Sequence, residues 1–239
     1  MKLKCNLNFR KMGNKLNGYG VKHNRNGDYA QGDFKDNLLH GHGTYAQKSG
    51  HVRTGNWENG KFTGYGSYES YEQGQYIVTE GDFINGKLNG HGKVVINNKY
   101  VREGEFSDNQ FTGFGSALTN DLQLTYEGNF AKGKRCGFGK EVHISGRYSR
   151  VGEWKDDFIM KGYGSFLYGN GHIYEGEWKN DKRHGKGLYI EESNKVTYGI
   201  WAYGRLVLEI PRTESEMRNF LNHREEEAEG TYSAYTTVE

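Results

Sequence analysis

The sequence predicts an all-β chain: an elongated, single-layer antiparallel ribbon of consecutive β-hairpins, followed by a short C-terminal α-helix. Three observations carry this reading. Glycine supplies 36 of 239 residues, against an average of about 7%. Those glycines recur at a fixed period. The segments between them are short, aromatic and roughly alternating, the pattern of half-buried strands.

The period is set by two motifs. Gly-x-Phe/Trp begins at Gly32, Gly55, Gly81, Gly104, Gly128, Gly152, Gly176 and Gly199, at spacings of 23 to 26 residues. Its aromatic member is Phe34, Trp57, Phe83, Phe106, Phe130, Trp154, Trp178 or Trp201, and all four tryptophans of the chain fall in this slot. These eight are read as structural repeat aromatics. Gly-x-Gly begins at Gly18, Gly41, Gly64, Gly90, Gly113, Gly137, Gly162 and Gly185; it trails the first motif by nine residues, or by ten after Gly152. The two motifs absorb 24 of the 36 glycines.

Taken in order, the first unit is degenerate: a poor Phe9-to-Lys15 half precedes Gly18-Tyr19-Gly20. In the units that follow, turns such as Asn59-Gly60-Lys61 and Asn85-Gly86-Lys87 lie between the motifs, a strong hairpin signal. A second turn, such as Asn24 to Gly27, closes each unit. Each repeat is therefore one hairpin, and consecutive hairpins pair edge to edge. A lone hairpin is marginal in water; stacked hairpins let aromatic rings cover the glycine backbone of the next unit. Sixteen strands at about 4.8 Å make a ribbon on the order of 75 Å long. The last unit is a half repeat, Tyr198 to Ile210. Residues 1–210 thus form an array of about eight repeats, and 211–239 form a helix and tail. In that tail, Thr213-Glu214-Ser215-Glu216 is a capping box just after Pro211. Met217, Phe220 and Leu221 follow at helical spacing, and Gly230 supplies a stop, which places a helix at about 214–229. Two readings stay open for it: a cover for the last strand edge, or a docking helix for a partner.

Composition removes several classes. Lys plus Arg total 32 against 30 Asp plus Glu, a net charge of +2, which disfavours a nucleic-acid binder. No apolar run of about 18 residues exists to cross a membrane as a helix, and the start shows no secretory signal. Mean hydropathy is −0.93, but disorder needs few aromatics and a high net charge, and 14% of the residues are aromatic. Cys5 and Cys136 read as separate reduced thiols, and no metal-ligand spacing appears. His42 and His91 fill the middle of Gly-x-Gly, where other repeats carry Tyr or Phe, so they read as repeat residues, not ligands. Cys136 occupies a variable repeat position. Asp33, Asp82, Glu105, Glu153 and Glu177 recur beside the aromatic slot, and cross-strand pairing with Lys or Arg is the expectation. No phosphate-binding glycine loop exists. No catalytic residue, cofactor or metal is expected.

The unit resembles the membrane occupation and recognition nexus, or MORN, repeat. Tyr174-Glu175-Gly176-Glu177-Trp178 through Gly185-Lys186-Gly187 follows that family's pattern almost throughout, and Tyr126-Glu127-Gly128-Asn129-Phe130 is close to it. Ala30, Arg53, Thr79, Arg102 and Arg150 replace the leading tyrosine. The resemblance implies non-enzymatic scaffolding, with similar arrays in radial-spoke heads, parasite cytoskeletons and junctional membrane tethers. The function expected is a protein–protein scaffold in a cytoskeletal or axonemal assembly in the cytoplasm or cilium. Its partners would be other structural proteins or a second copy of the chain. Candidate partner-binding residues are Tyr19, Tyr65, Phe114, Phe138 and Tyr163, which share one side of the ribbon, with Met217, Phe220 and Leu221 on the helix. Two alternatives remain. One is a peripheral adaptor that meets anionic phospholipid through Lys132, Lys134, Arg135, Lys182 and Arg183 at the turn edge. The other is a regulatory subunit of a separate enzyme.

Overall fold

The structure, a computed structural model, describes residues 10–12, 15–119, 123–145, 148–193, 195–211 and 213. The predicted helix at 214–229, with Met217, Phe220 and Leu221, lies outside the described residues. Every described regular element is a β-strand, and the strands are antiparallel.

The chain divides into two compact units, 1–113 and 114–239. The first contains β1 (Arg10–Met12), β2 (Lys15–His23), β3 (Tyr29–Lys35), β4 (Leu38–Ala46) and β5 (Val52–Glu58). It continues with β6 (Lys61–Glu72), β7 (Gln75–Ile84), β8 (Lys87–Ile96) and β9 (Tyr100–Ser107). Strand β10 (Gln110–Thr119) starts in the first unit and ends in the second. The second unit contains β11 (Leu124–Ala131), β12 (Lys134–His143), β13 (Ser149–Lys155) and β14 (Phe158–Leu167). It closes with β15 (Ile173–Lys179), β16 (Lys182–Ile190), β17 (Val196–Ala202) and β18 (Arg205–Glu209). In each unit the strands form an open antiparallel meander in which each pairs with its neighbours in sequence. The predicted half repeat is the β17–β18 hairpin.

The tight turns follow from their residues. Asp36-Asn37, Asn59-Gly60, Asn85-Gly86, Asp108-Asn109, Asp156-Asp157 and Asn180-Asp181 all have positive φ at both positions. That is the type I′ turn, whose twist matches a two-residue hairpin and which Asn, Asp and Gly tolerate best. Each such turn also ties itself to the preceding repeat. The Asn37 amide donates to the Leu16 carbonyl at 3.0 Å and the Gly60 amide to the Leu39 carbonyl at 2.8 Å. The Asn37 Oδ1 accepts the Leu16 amide at 2.7 Å, and Asn109 Oδ1 accepts the Leu88 amide at 2.7 Å.

The glycines face one another. Gly20, Gly32, Gly43, Gly55, Gly66, Gly81, Gly92 and Gly104 are successive cross-strand partners in the first unit. In the second unit Gly128, Gly139 and Gly152 run in line, as do Gly176, Gly187 and Gly199. This ladder lies on the same face as the repeat aromatics, two residues along each strand. A β-carbon on Gly55 would stand 2.6 Å from the Gly66 Cα, and one on Gly66 would stand 2.5 Å from the Phe62 ring. The ladder lets rings lie directly on backbone. Phe34, Trp57, Phe83, Phe106, Phe130, Trp154, Trp178 and Trp201 are all buried there. Each tryptophan indole donates to a glycine carbonyl: Trp57 to Gly43, Trp154 to Gly139, Trp178 to Gly164 and Trp201 to Gly187, at 2.9 to 3.0 Å. The glycine so covered belongs to the preceding repeat, not the next one, because the ring reaches back across the strand pair.

Candidate interaction surface

Successive strand residues alternate between faces, so the middle residue of Gly-x-Gly points away from the aromatic core. In the first unit this outer face holds a line of opposed residues. Tyr19 faces Asp33, His42 faces Asn56, Tyr65 faces Asp82, and His91 faces Glu105. Tyr19 is 49% and Tyr65 is 65% exposed; the other members of the line are exposed as well. The next row on the same face adds Glu80, Glu103 and Lys93, with Lys93 2.9 Å from Glu103. That carboxylate raises the Lys93 pKa above its ordinary value, chiefly by accepting its hydrogen bond. Rings thus alternate with carboxylates and amides, and the face is acidic.

The expected pairing of the recurrent acids with Lys or Arg does not occur here. Among the described residues Asp33, Asp82 and Glu153 have no Lys or Arg within ion-pair distance. The register places Tyr19 and Tyr65 opposite Asp33 and Asp82, and sets Glu153 between Phe138 and Lys161, which lies opposite it without an ion pair. Glu105 reaches His91 at 3.8 Å, and Glu177 accepts the Lys186 amide at 3.0 Å.

The remaining ring candidates divide. Phe114 on β10 is 49% exposed. In the second unit Phe138 and Tyr163 are half-buried, opposite Glu153 and Glu177. The lipid candidates are not a free cationic edge. Lys134 is 3.7 Å from Asp156, and the same turn-to-turn pair recurs as Lys15–Asp36 at 3.0 Å and Lys87–Asp108 at 3.4 Å. Pairs this exposed contribute about 0–1 kcal/mol. Lys132 and Lys182 are exposed. Arg135 and Arg183 turn inward onto the core face.

That inward turn builds a cluster in the second unit. Glu141 and Arg150 are 3% and 7% exposed. Arg150 donates to Glu141 Oε1 through Nε at 3.0 Å and Nη2 at 2.7 Å, and to Asp181 through Nη1 at 3.0 Å. Arg135 also pairs with Glu141, and it lies 4.3 Å from the Trp154 ring centre. Arg150 sits in the leading-tyrosine slot and stacks near Phe166 and Trp178 at 4.8 and 4.9 Å. Arg183 lies over Trp201 and Tyr189 at 4.4 and 4.6 Å and donates to the Gly204 carbonyl at 2.6 Å. Here the guanidinium does what the tyrosine ring does elsewhere: it covers the core and satisfies buried acceptors. A cavity of about 300 Å³ beside this cluster is lined by Glu141, His143, Arg150, Phe166 and Tyr168. Burial raises the Tyr168 hydroxyl above its usual range. The two charges in that lining neutralise each other.

Burial, helped by Asp156, raises the Cys136 thiol above its ordinary value and keeps it protonated. Among the described residues no group of three His, Cys, Asp or Glu could hold a metal.

Comparison with known families decides the class. The MORN repeat matches eight segments: residues 12–29, 31–52, 54–75, 80–98, 103–117, 126–146, 151–173 and 174–190. The chain belongs to the MORN-repeat family. MORN repeats are non-catalytic motifs that bind proteins or membranes. The β17–β18 hairpin lies beyond the last matched segment. A stretch of 60 residues, 25% of this MORN chain, is 33% identical to the inactive protein tyrosine kinase pTKL of Plasmodium berghei (strain Anka) and spans 5% of that protein.

Sequence reasoning placed His42 and His91 in the slot of Tyr19 and Tyr65 but did not count them among the partner-binding candidates. It also missed the Arg135–Glu141–Arg150–Asp181 cluster. Arginine in the tyrosine slot was its signal.

Proposed function

We propose that this MORN chain is a non-enzymatic scaffold for structural proteins of a cytoskeletal or axonemal assembly, and that the outer face of its first unit is the docking surface. One observation carries the reading: Tyr19, His42, Tyr65 and His91 recur on every second strand of an open face, each opposed by Asp, Asn or Glu. Exposed aromatic rows are natural anchors for a partner. The carboxylates between them favour a basic segment, held by ion pairs to the acids and by cation–π contact with the rings. Alternate strands are about 9.6 Å apart. Three residues of a polyproline II helix span about 9.3 Å, so an extended basic segment lying across the strands meets one ring per three residues.

The test is affinity purification from the native cell with wild type and a Tyr65→Ala/His91→Ala variant. Structural proteins that survive moderate salt with wild type and are lost with the variant support the proposal. Recovery of one soluble enzyme supports the regulatory-subunit alternative instead. Salt-sensitive capture of anionic vesicles, lost on charge reversal at Lys132, Lys134 and Arg135, supports the lipid adaptor.

A further inference from the structure

We propose that the outer face of the second unit is a docking site for the chain's own residues 214–229. The ladder fixes which face this is. Leu188 and Tyr198 are cross-strand partners, adjacent to the Gly187–Gly199 pair. They therefore point away from Trp201, whose indole lies over Gly187. In a single-layer sheet that face meets solvent, and a side chain there is buried only if something covers it. Leu188 is 0%, Tyr198 3% and Val151 7% exposed. Val151 occupies the same face on β13, opposite Lys140 and Tyr163.

These three also break the repeat's own rule. Most matching positions elsewhere are polar, as at Thr44, Ser67 and Lys93 after Gly-x-Gly, or Thr54, Glu80 and Glu103 before Gly-x-aromatic; the apolar Val21 is only half-buried. Those six are exposed or half-buried. The face has changed from polar to apolar and from open to covered only toward the C-terminal end of the array.

The occupant is identified by position, length and pattern. The chain leaves β18 at Ile210, whose amide donates to the Tyr198 carbonyl at 2.9 Å. Thr213-Glu214-Ser215-Glu216 then opens a helical pattern with Met217, Phe220 and Leu221 on one stripe. Sixteen helical residues are about 24 Å long, and the five strands β13 to β17 span about 19 Å. The length fits a helix laid across this patch. On β18 itself the side chains stay open: Leu206, Val207 and Leu208 are 38%, 66% and 57% exposed.

The site is tested in the full chain by placing the photo-crosslinker p-benzoylphenylalanine at Tyr198, an aromatic replacement. Irradiation is expected to join this position to a peptide within 214–229 at the mass of one chain. Adducts at the mass of two chains, or adducts only to other segments, overturn the proposal. A second variant leaves the sheet untouched: Phe220→Asp with Leu221→Asp. Removing the two apolar anchors is expected to speed cleavage by glutamyl endopeptidase after Glu225 to Glu227 by on the order of tenfold or more, with tryptophan emission unchanged. Equal cleavage rates in variant and wild type overturn it as well.

Discussion

At the scale of the residue, the fold depends on what glycine leaves out. Gly66 shows this without any special backbone angle, because a β-carbon there meets the Phe62 ring and, at 2.8 Å, the Thr54 carbonyl. Gly66→Ala is therefore expected to destabilise the protein by about 1–3 kcal/mol through overpacking, measured by urea unfolding; a change within about 0.5 kcal/mol would contradict the ladder's role. A polar residue makes a second prediction. Asp28 is 7% exposed and accepts hydrogen bonds from the Tyr45 hydroxyl at 2.6 Å, the Lys48 amide at 3.0 Å and Asn26 Nδ2 at 2.7 Å. The Tyr45 bond, first among these, holds its carboxyl below the ordinary value of 3.8. A lowered folded pKa means that the unfolded chain takes up the proton first. The stability Asp28 confers is then complete above the unfolded value and lost as pH falls through the folded one. Carbon-detected NMR titration should give Asp28 a pKa below 3.8 in wild type and a higher one in Tyr45→Phe. Equal values in the two proteins would refute the assignment. The aromatic slots were legible in the sequence because period and residue type agree. Arg150 was legible only as a departure from the tyrosine pattern. Its partner Glu141 stands nine residues away, and the two share a face only once the β12–β13 register is known.

At the scale of the element, the hairpins follow from turn chemistry. Asn37 adopts φ 73° and its side chain accepts the Leu16 amide of the preceding repeat. Asn37→Ala removes both the tolerance and the acceptor, with an expected loss of about 1–2 kcal/mol. Asn37→Gly keeps the backbone angle and should lose less. Thermal unfolding of the two variants checks this, and equal losses would show that only the side-chain bond matters. The hairpins could be read in advance because Asn-Gly and Asp-Asn dictate positive φ locally. The irregularities could not. Register shifts fall beside the aromatic slot, as between Gly55 and Trp57, and they leave Asp33 and Asp82 without a partner on the following strand, while the unshifted preceding strand sets each opposite a tyrosine. The one-residue-longer link before Gly162 has a similar effect: it sets Gly162 opposite Gly152 and Gly164 opposite Arg150, moving the ladder along by two.

At the scale of the whole molecule, one face of the first unit's sheet builds the fold and the other is left for binding. The sequence pattern marked Tyr19, Tyr65, Phe114, Phe138 and Tyr163 as sharing a side. It did not say which of them are open, because exposure depends on what lies over the sheet. That is why Tyr65 stands free while Tyr163 is half-buried. The division of labour predicts that fold and binding separate there: outer-face substitutions in the first unit spare stability, and core-face substitutions do not. The most direct test compares Tyr65→Ala/His91→Ala with wild type by thermal unfolding and by recovery of partners from the native cell. The account predicts an unchanged unfolding midpoint together with loss of the structural partners. An undiminished partner set in a normally folded variant would contradict it.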